Sequence, residues 1–575
     1  MTSPARATVN KVCALFTRGV KTNLVDGTSC SRFSIFPTAA AFAAAYGQAP
    51  LYYSNQNQYF LHGLAMADYG SLGKDWLANT LDPTPLFSWL VLGTVRLMPP
   101  WVFHLYHALL MGVYAAAMLD LYFAVGGCIG RSSQDGLGSP SHQRWPIFAA
   151  LFVLVHSAAA RWASYALLGG DYPWYLQAGL ASQYILGPML QPSVFGVLLV
   201  LALSLFVRGR WILSAICIAL AGSMHNTYLL PGAMLTIGMV VAMIQQGLLR
   251  DGLLMGGLTL LLVLPTAIHS MLTFEPTTPE AFAAAQDILA NFRIPHHARM
   301  DYWLDGVAVL QILWMVLGIG LAWRTRLFTV LLVSFSLALL LSLIQAWTQS
   351  NLLALLFPWR LSAVLMPLAT TIVLARITLS PLLRFSPLSL VSHSLLLFLA
   401  GAGLAISFGR FAFQSPSEDV PVMEFVRQTR EPGEVYFLPM KLPDRSKKPS
   451  GFVHSLSGDF KPPPAKKRDS RLIAADLQQF RLHTGAPIFV DFKAIPYKDV
   501  EVIEWRQRLE FVSEVYEQLG EGKVAEALAE LRKRGVTHLL QLAADKELSH
   551  PELRLIYGGG EDGAYRVYRL VHAAG

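Results

Sequence analysis

The chain has 575 residues, of which 54% are hydrophobic and only 14% charged, with a formal net charge of +8. Soluble domains carry about 25% charged residues, so a wholly soluble protein is excluded, and so small an excess of charge gives no support for nucleic acid as a partner. Cys13, Cys30, Cys128 and Cys217 are scattered, with no CxxC pair and no metal-ligand spacing.

In chain order, residues 1–32 contain Arg6, Lys11, Arg18 and Lys21 but lack the apolar run and small-residue cleavage site of a removable signal peptide. They read as a cytoplasmic start. From 33 to 409, apolar stretches near bilayer-crossing length follow one another, clearest at 145–160, 193–207, 227–244, 252–272, 306–323, 327–347, 362–375 and 388–408. Hydrocarbon about 30 Å thick takes about 20 helical residues. The backbone finds no water there, so such runs must close their hydrogen bonds as helices. Early spans near 33–47, 85–98 and 101–125 give a crossing too many or too few, unless one falls short or 172–189 enters the membrane. Asp171, Tyr172, Trp174, Tyr175, Gln177 and Gln183 make that stretch too polar to face lipid, which fits a partly buried re-entrant or interfacial element. The count is about 11–13 spans.

Arg208, Arg210, Arg250, Arg324, Arg326, Arg376 and Arg384 lie in alternate loops, which marks those loops as cytoplasmic. The opposite, outer face then receives loops 51–84, 166–192, 274–305 and 348–360 together with residues 410–575. In this last part the apolar residues come in short bursts between charges. Helices are expected at 422–428, 499–519 and 523–534, and strands at 434–438, 486–492, 536–540, 553–556 and 565–570. A Pro-, Lys- and Ser-rich flexible insertion covers 441–470, and Gly558, Gly559 and Gly560 read as a hairpin turn. The fold class is therefore mainly α: a polytopic α-helical membrane protein with a C-terminal soluble α/β domain. No nucleotide-binding glycine loop occurs.

Candidate chemistry gathers in the outer loops. The first holds Asp68, Lys74, Asp75 and Asp82; ionisable groups there are functional candidates. Asp82, followed by Pro83, also suits a helix cap, and Asp68 reads as a solvated residue. Residues 291–303, NFRIPHHARMDYW, place His296 and His297 between Arg293 and Arg299. Adjacent histidines point apart on a helix or strand, which argues against a two-His metal site. Arginine and histidine together suit a phosphate, and an interfacial loop meeting lipid headgroups is the plainer alternative. Arg360, in FPWR, opens a long span, and burying it costs several kcal/mol unless an anion, carbonyls or headgroups satisfy it. His225 ends a span and can line the same cavity or sit hydrogen-bonded in the interior. Asp171, among glycines and aromatics, suits sugar hydroxyls or a turn.

A first span, an acidic outer loop, a helical membrane body and an outer α/β domain together resemble the GT-C superfamily. These are membrane glycosyltransferases that use polyprenyl-phosphate sugars. NQNQYFLHGLA, DYPWY with QPS, RIPHH, FPWR and FVDFKAIPYKDVEVIEW look more closely like an uncharacterised family of large bacterial membrane proteins. The GT-C likeness rests on architecture. It implies sugar transfer, with inversion, from a polyprenyl-phosphate carrier to a glycan, lipid or protein acceptor at the outer face of a bacterial plasma membrane, among membrane lipids. It also implies a catalytic acid at Asp75, with Asp82 second, although Asn55, Gln56, Asn57 and Gln58 stand where GT-C members often show acids. Arg360 would neutralise the leaving phosphate, with Arg293, His296, His297, Lys74, Asp171 and His225 auxiliary. No cofactor is required by this reading. A divalent cation (Mg or Mn) becomes feasible only if Asp75, Asp82 and Asp171 approach one another. A transporter or lipid flippase, and a non-catalytic envelope assembly protein, are the competing classes.

Overall fold

The computed structural model describes residues 29–126, 140–380, 389–413, 419–440, 442–443, 460, 476–558 and 563–571. The basic start at 1–28 and nearly all of the 441–470 insertion lie outside them, as do Gly559 and Gly560. Among the described residues, six helices are long and apolar enough to cross a membrane: Val102–Val125, Asn226–Gln245, Leu249–Thr273, Arg326–Thr348, Asn351–Leu379 and Leu390–Phe408. A seventh is formed if the pair Arg144–His156 and Ala158–Leu168, bent by 57°, counts as one. The bend falls at Ser157, whose hydroxyl accepts the Ala160 N–H at 3.1 Å and starts the second helix. Five shorter apolar helices complete the body, Ile35–Tyr46, Pro85–Leu97, Pro192–Val207, Trp211–Met224 and Gly306–Leu321.

Pro85–Leu97, expected among the early spans, falls short. Its 13 residues rise about 20 Å. Arg96 at its end donates to the Met66 carbonyl at 2.9 Å, so the helix returns to the loop it left. Residues 171–196 are irregular rather than helical, with short turns at Tyr172–Leu176, Leu180–Ser182 and Pro192–Gly196. Ala181 and Ser182 sit in the left-handed region, at φ 56° and 54°. Backbone of this kind survives at depth only where protein covers it. Here Gln311 donates to the Tyr175 and Ala178 carbonyls at 3.0 and 2.9 Å. Ser362 Oγ takes the Leu180 N–H at 2.8 Å, and Gly179 packs so close to Ser362 that a Cβ would overlap it.

The C-terminal part forms a cap with a four-stranded sheet of β1 (Tyr436–Phe437), β2 (His538–Leu542), β3 (Leu553–Tyr557) and β4 (Tyr565–Leu570), in the order β1-β2-β4-β3. β1 runs parallel to β2 and the remaining pairs are antiparallel. The crossover from β1 to β2 carries helices α1 (Phe480–Thr484), α2 (Asp499–Gly520) and α3 (Val524–Lys533). Trp505, Leu509 and Val512 of α2 pack with Phe437, Leu528 and Leu539 in the cap core. The strand expected at 486–492 is absent; one bridge joins Tyr436 to Ile488. The Tyr436 amide donates to the Pro487 carbonyl and the Phe489 amide to the Tyr436 carbonyl, so the Ile488 amide points away from β1, to Asp75 Oδ2 at 3.0 Å.

The cap rests on the loops of one face. Ser71 N–H meets the Gly485 carbonyl at 2.8 Å; Gly70 and Gly485 are both at positive φ, and a Cβ on Gly70 would overlap that carbonyl. Asp499 accepts the Thr277 amide and hydroxyl at 2.6 and 2.7 Å, and Glu501 accepts the Leu81 amide at 3.0 Å. Arg508 stacks over Trp76 and Arg506 over Phe292, 4.3 and 3.6 Å from the ring centroids.

Candidate functional site

Beneath the cap, four of the expected phosphate-binding residues come together. Phe357, left-handed at φ 48°, turns the chain so that Pro358–Leu361 forms a short helical turn ahead of the last buried helix. Arg360 leaves that turn with its guanidinium 5.2 Å from the Tyr228 ring centroid and Nη2 3.5 Å from the Tyr228 hydroxyl. Its Nε is buried without a hydrogen-bond partner, and no carboxylate pairs with it among the described residues. The His225 ring lies 5.8 Å from Tyr228 and 5.7 Å from Tyr59. His297 Nδ1 lies 2.6 Å from the Ala181 carbonyl, and Arg293 donates to the Lys493 carbonyl at 2.6 Å while facing Phe492.

The electrostatics follow from this crowding. Burial lowers the His297 imidazole to about 4, and Arg360, Arg293 and Lys493 push the same way, against its bond to Ala181. His297 is therefore neutral at physiological pH, its one N–H given to the Ala181 carbonyl, with the positive charge carried by Arg360, Arg293 and Lys493. Burial raises the Tyr59 phenol well above its ordinary range, with Tyr497 adding to it, and raises Tyr497 as well. These phenols stay protonated beside the cations. His296, which was expected to point away from its neighbour, instead lies against it, with ring centroids 4.1 Å apart. A site rich in donors and cations and poor in carboxylates is built to receive an anion.

The acidic candidates stand apart from one another. Asp75 is fully buried; Oδ2 takes Arg481 Nε at 2.8 Å and the Ile488 amide, and Oδ1 takes the Leu77 amide at 2.9 Å. Arg481 also reaches Asp491 at 2.8 Å, and burial, more than any neighbour, pushes the Asp491 carboxyl upward. Asp171 is buried against Arg161 at 2.6 Å, the guanidinium lying between the Trp174 and Phe460 rings. Lys74 is exposed along the seam with the cap, near Gly433. Asp82 alone is near the cationic cluster's edge. Its Oδ1 accepts the Thr84 amide at 2.8 Å and lies 4.0 Å from His62 Nδ1, and the Asn226 amide, next to His225, approaches the Pro83 carbonyl at 3.4 Å. Among the described residues no three His, Cys, Asp or Glu side chains gather as a metal site.

An apolar groove of about 320 Å³ leads to the cluster from the side. Ile218 and Gly222, Ala233 and Val240, and Gly256 and Leu260 line it from three successive helices, and Tyr228 closes its end. The Tyr228 hydroxyl donates to the Ser193 carbonyl, so the irregular segment fixes the ring that separates groove from guanidinium. Sequence reasoning missed Tyr59, Tyr228, Lys493 and Tyr497. The signal for the last two was their place in KAIPYK at 493–498, a proline-broken run between Asp491 and Asp499 just past the strand assigned at 486–492.

A family model described as a domain of unknown function (DUF6798) matches residues 465–512. That stretch includes Arg481, Ile488, Asp491, Lys493, Tyr497 and Asp499, the part of the cap that reaches the membrane body. No curated protein sequence matches the chain.

Proposed function

We propose that this protein is a membrane glycosyltransferase that takes a sugar from a polyprenyl-phosphate carrier beneath the cap. The observation that carries the reading is Arg360: a guanidinium without a carboxylate, set on the ring that ends an apolar groove. An isoprenoid chain fits the groove, and its phosphate would replace the missing counter-ion. Arg293 and Lys493 add positive charge, and neutral His225 a ring N–H, where charge grows on the departing phosphate. Asp82, rather than Asp75, is the carboxylate left to act on the acceptor side, because the Asp75 oxygens are committed to Arg481 and to backbone amides.

The path through the body supports eleven crossings on this reading. The helix at Pro85–Leu97 lies along one face, and the bent pair 144–168 counts once. The arginine-bearing loops at 208–210, 250, 324–326 and 376 fall at the helix ends away from the cap, and the positive-inside rule makes this an argument for a cap outside the cytoplasm.

The test is transfer of labelled sugar from a synthetic polyprenyl-phosphate sugar to acceptors in membranes carrying the protein. Native mass spectrometry with polyprenyl phosphate runs beside it. Loss of transfer together with weakened binding in Arg360→Ala supports the reading. Wild-type behaviour of that variant removes it, and lipid movement across proteoliposomes without product would favour a flippase.

A further inference from the structure

His62 takes no part in the phosphate cluster, yet its ring is set for proton transfer. Nε2 lies 3.1 Å from the Thr80 carbonyl. A carbonyl only accepts, so Nε2 carries the hydrogen and Nδ1 of the neutral ring presents its lone pair. Asp82 Oδ1 lies 4.0 Å from Nδ1. The distance is too long for a direct hydrogen bond but short enough for the carboxylate to stabilise an imidazolium. The Thr84 amide holds the same oxygen at 2.8 Å. His62 also lines a narrow cavity of about 10 Å³ with Gln58, Tyr59, Thr80 and Pro496, room for roughly one water-sized group. Leu81 and Pro83, on either side of Asp82, complete the same wall.

We infer that His62 is the general base of this site and that Asp82 is its positioning residue, an assignment that rests on the transferase reading above. An acceptor hydroxyl enters the cavity between Tyr59 and Pro496. As its oxygen lone pair bonds to the anomeric carbon, its proton passes to His62 Nδ1. The bond from that carbon to the phosphate oxygen breaks, and the electron pair leaves with the phosphate toward Arg360. The acceptor class is accordingly an alcohol small enough at its reacting end to pass Tyr59, such as a primary or secondary sugar hydroxyl.

Two measurements test this. Nitrogen-15 spectra of histidine-labelled protein in nanodiscs, with the His62 signal assigned by its loss in His62→Gln, should show hydrogen on Nε2 and a bare Nδ1. Hydrogen on Nδ1 overturns the assignment. In the transfer assay, His62→Gln should lower kcat at least 100-fold with polyprenyl-phosphate binding and thermal unfolding unchanged. Asp82→Asn should lower kcat about 10-fold with KM preserved, and Asp82→Glu should restore part of it. Wild-type kcat in His62→Gln, in protein whose Arg360→Ala variant is inactive, overturns the base while sparing the transferase. Absence of transfer by the unsubstituted protein overturns both.

Discussion

The carboxylate of Asp75 and the guanidinium of Arg481 meet at 2.8 Å although 406 residues separate them in the chain, and both side chains are almost wholly buried. Removing Asp75 strips Arg481 of one of its two carboxylates and leaves the Ile488 and Leu77 amides without their acceptor, each bond to the charged group worth about 1.5–3 kcal/mol. Asp75→Ala should therefore loosen the cap from the outer loop. Limited proteolysis should release a cap fragment at protease levels that leave the wild type intact. The triple variant Asp75→Ala, Asp491→Asn and Arg481→Met, which empties the buried network of charge, should recover much of that stability, which a catalytic role for Asp75 would not predict.

Arg360→Ala should weaken polyprenyl-phosphate binding by roughly 10–100-fold, the worth of a charge-assisted contact. Arg360→Lys should recover only part, since the ammonium lacks the planar fork. Native mass spectrometry of the three proteins with the same lipid checks both statements.

The groove is tested at Gly256, where a Cβ would lie 3.5 Å from Val240, an ordinary contact that the helices can accept. Gly256→Leu should fill the channel and lower affinity for a long-chain polyprenyl phosphate at least tenfold. Binding of a short-chain, water-soluble analogue should stay unchanged. Equal losses for both ligands would place the defect in the helices and not in the groove.

Burial holds the folded His297 at about 4, below the ordinary value near 6.5. The unfolded chain then binds the proton first, so stability is fully present above about pH 6.5 and falls as the pH drops toward 4. The His297 contribution amounts to about 3 kcal/mol at the acid end. Thermal unfolding across that range should show a shallower acid loss in His297→Gln than in the wild type.

Much of the site was legible where a residue conflicts with its own surroundings. Arg360 opens an apolar run, and cationic 291–303 adjoins a membrane face; both patterns call for an anion, and the structure gathers Arg360, Arg293, His297 and His225 in one place. Asp75 could not be read in the same way, because its neutralising partner lies in the cap and no local pattern announces it. The predicted strand at 486–492 shrinks to one bridge, and the outward amide of Ile488 goes to a side chain from a remote loop that its own sequence does not announce. His62 was hidden as a lone histidine on a short helix. Its meaning depends on the Thr80 carbonyl, a backbone atom common to every residue type. The left-handed backbone at Ala181, Ser182 and Phe357 was equally silent, because only glycine advertises such a conformation.

The bridge at Ile488 has one more effect. β1 is only two residues long, and beyond it the sheet is closed off by a segment whose amide is already given to Asp75. Severed from the helices, the cap would lose that acceptor and expose an open margin to other chains. The fragment 419–571 should self-associate when produced alone. Its solubility is thus a property lent by the membrane body.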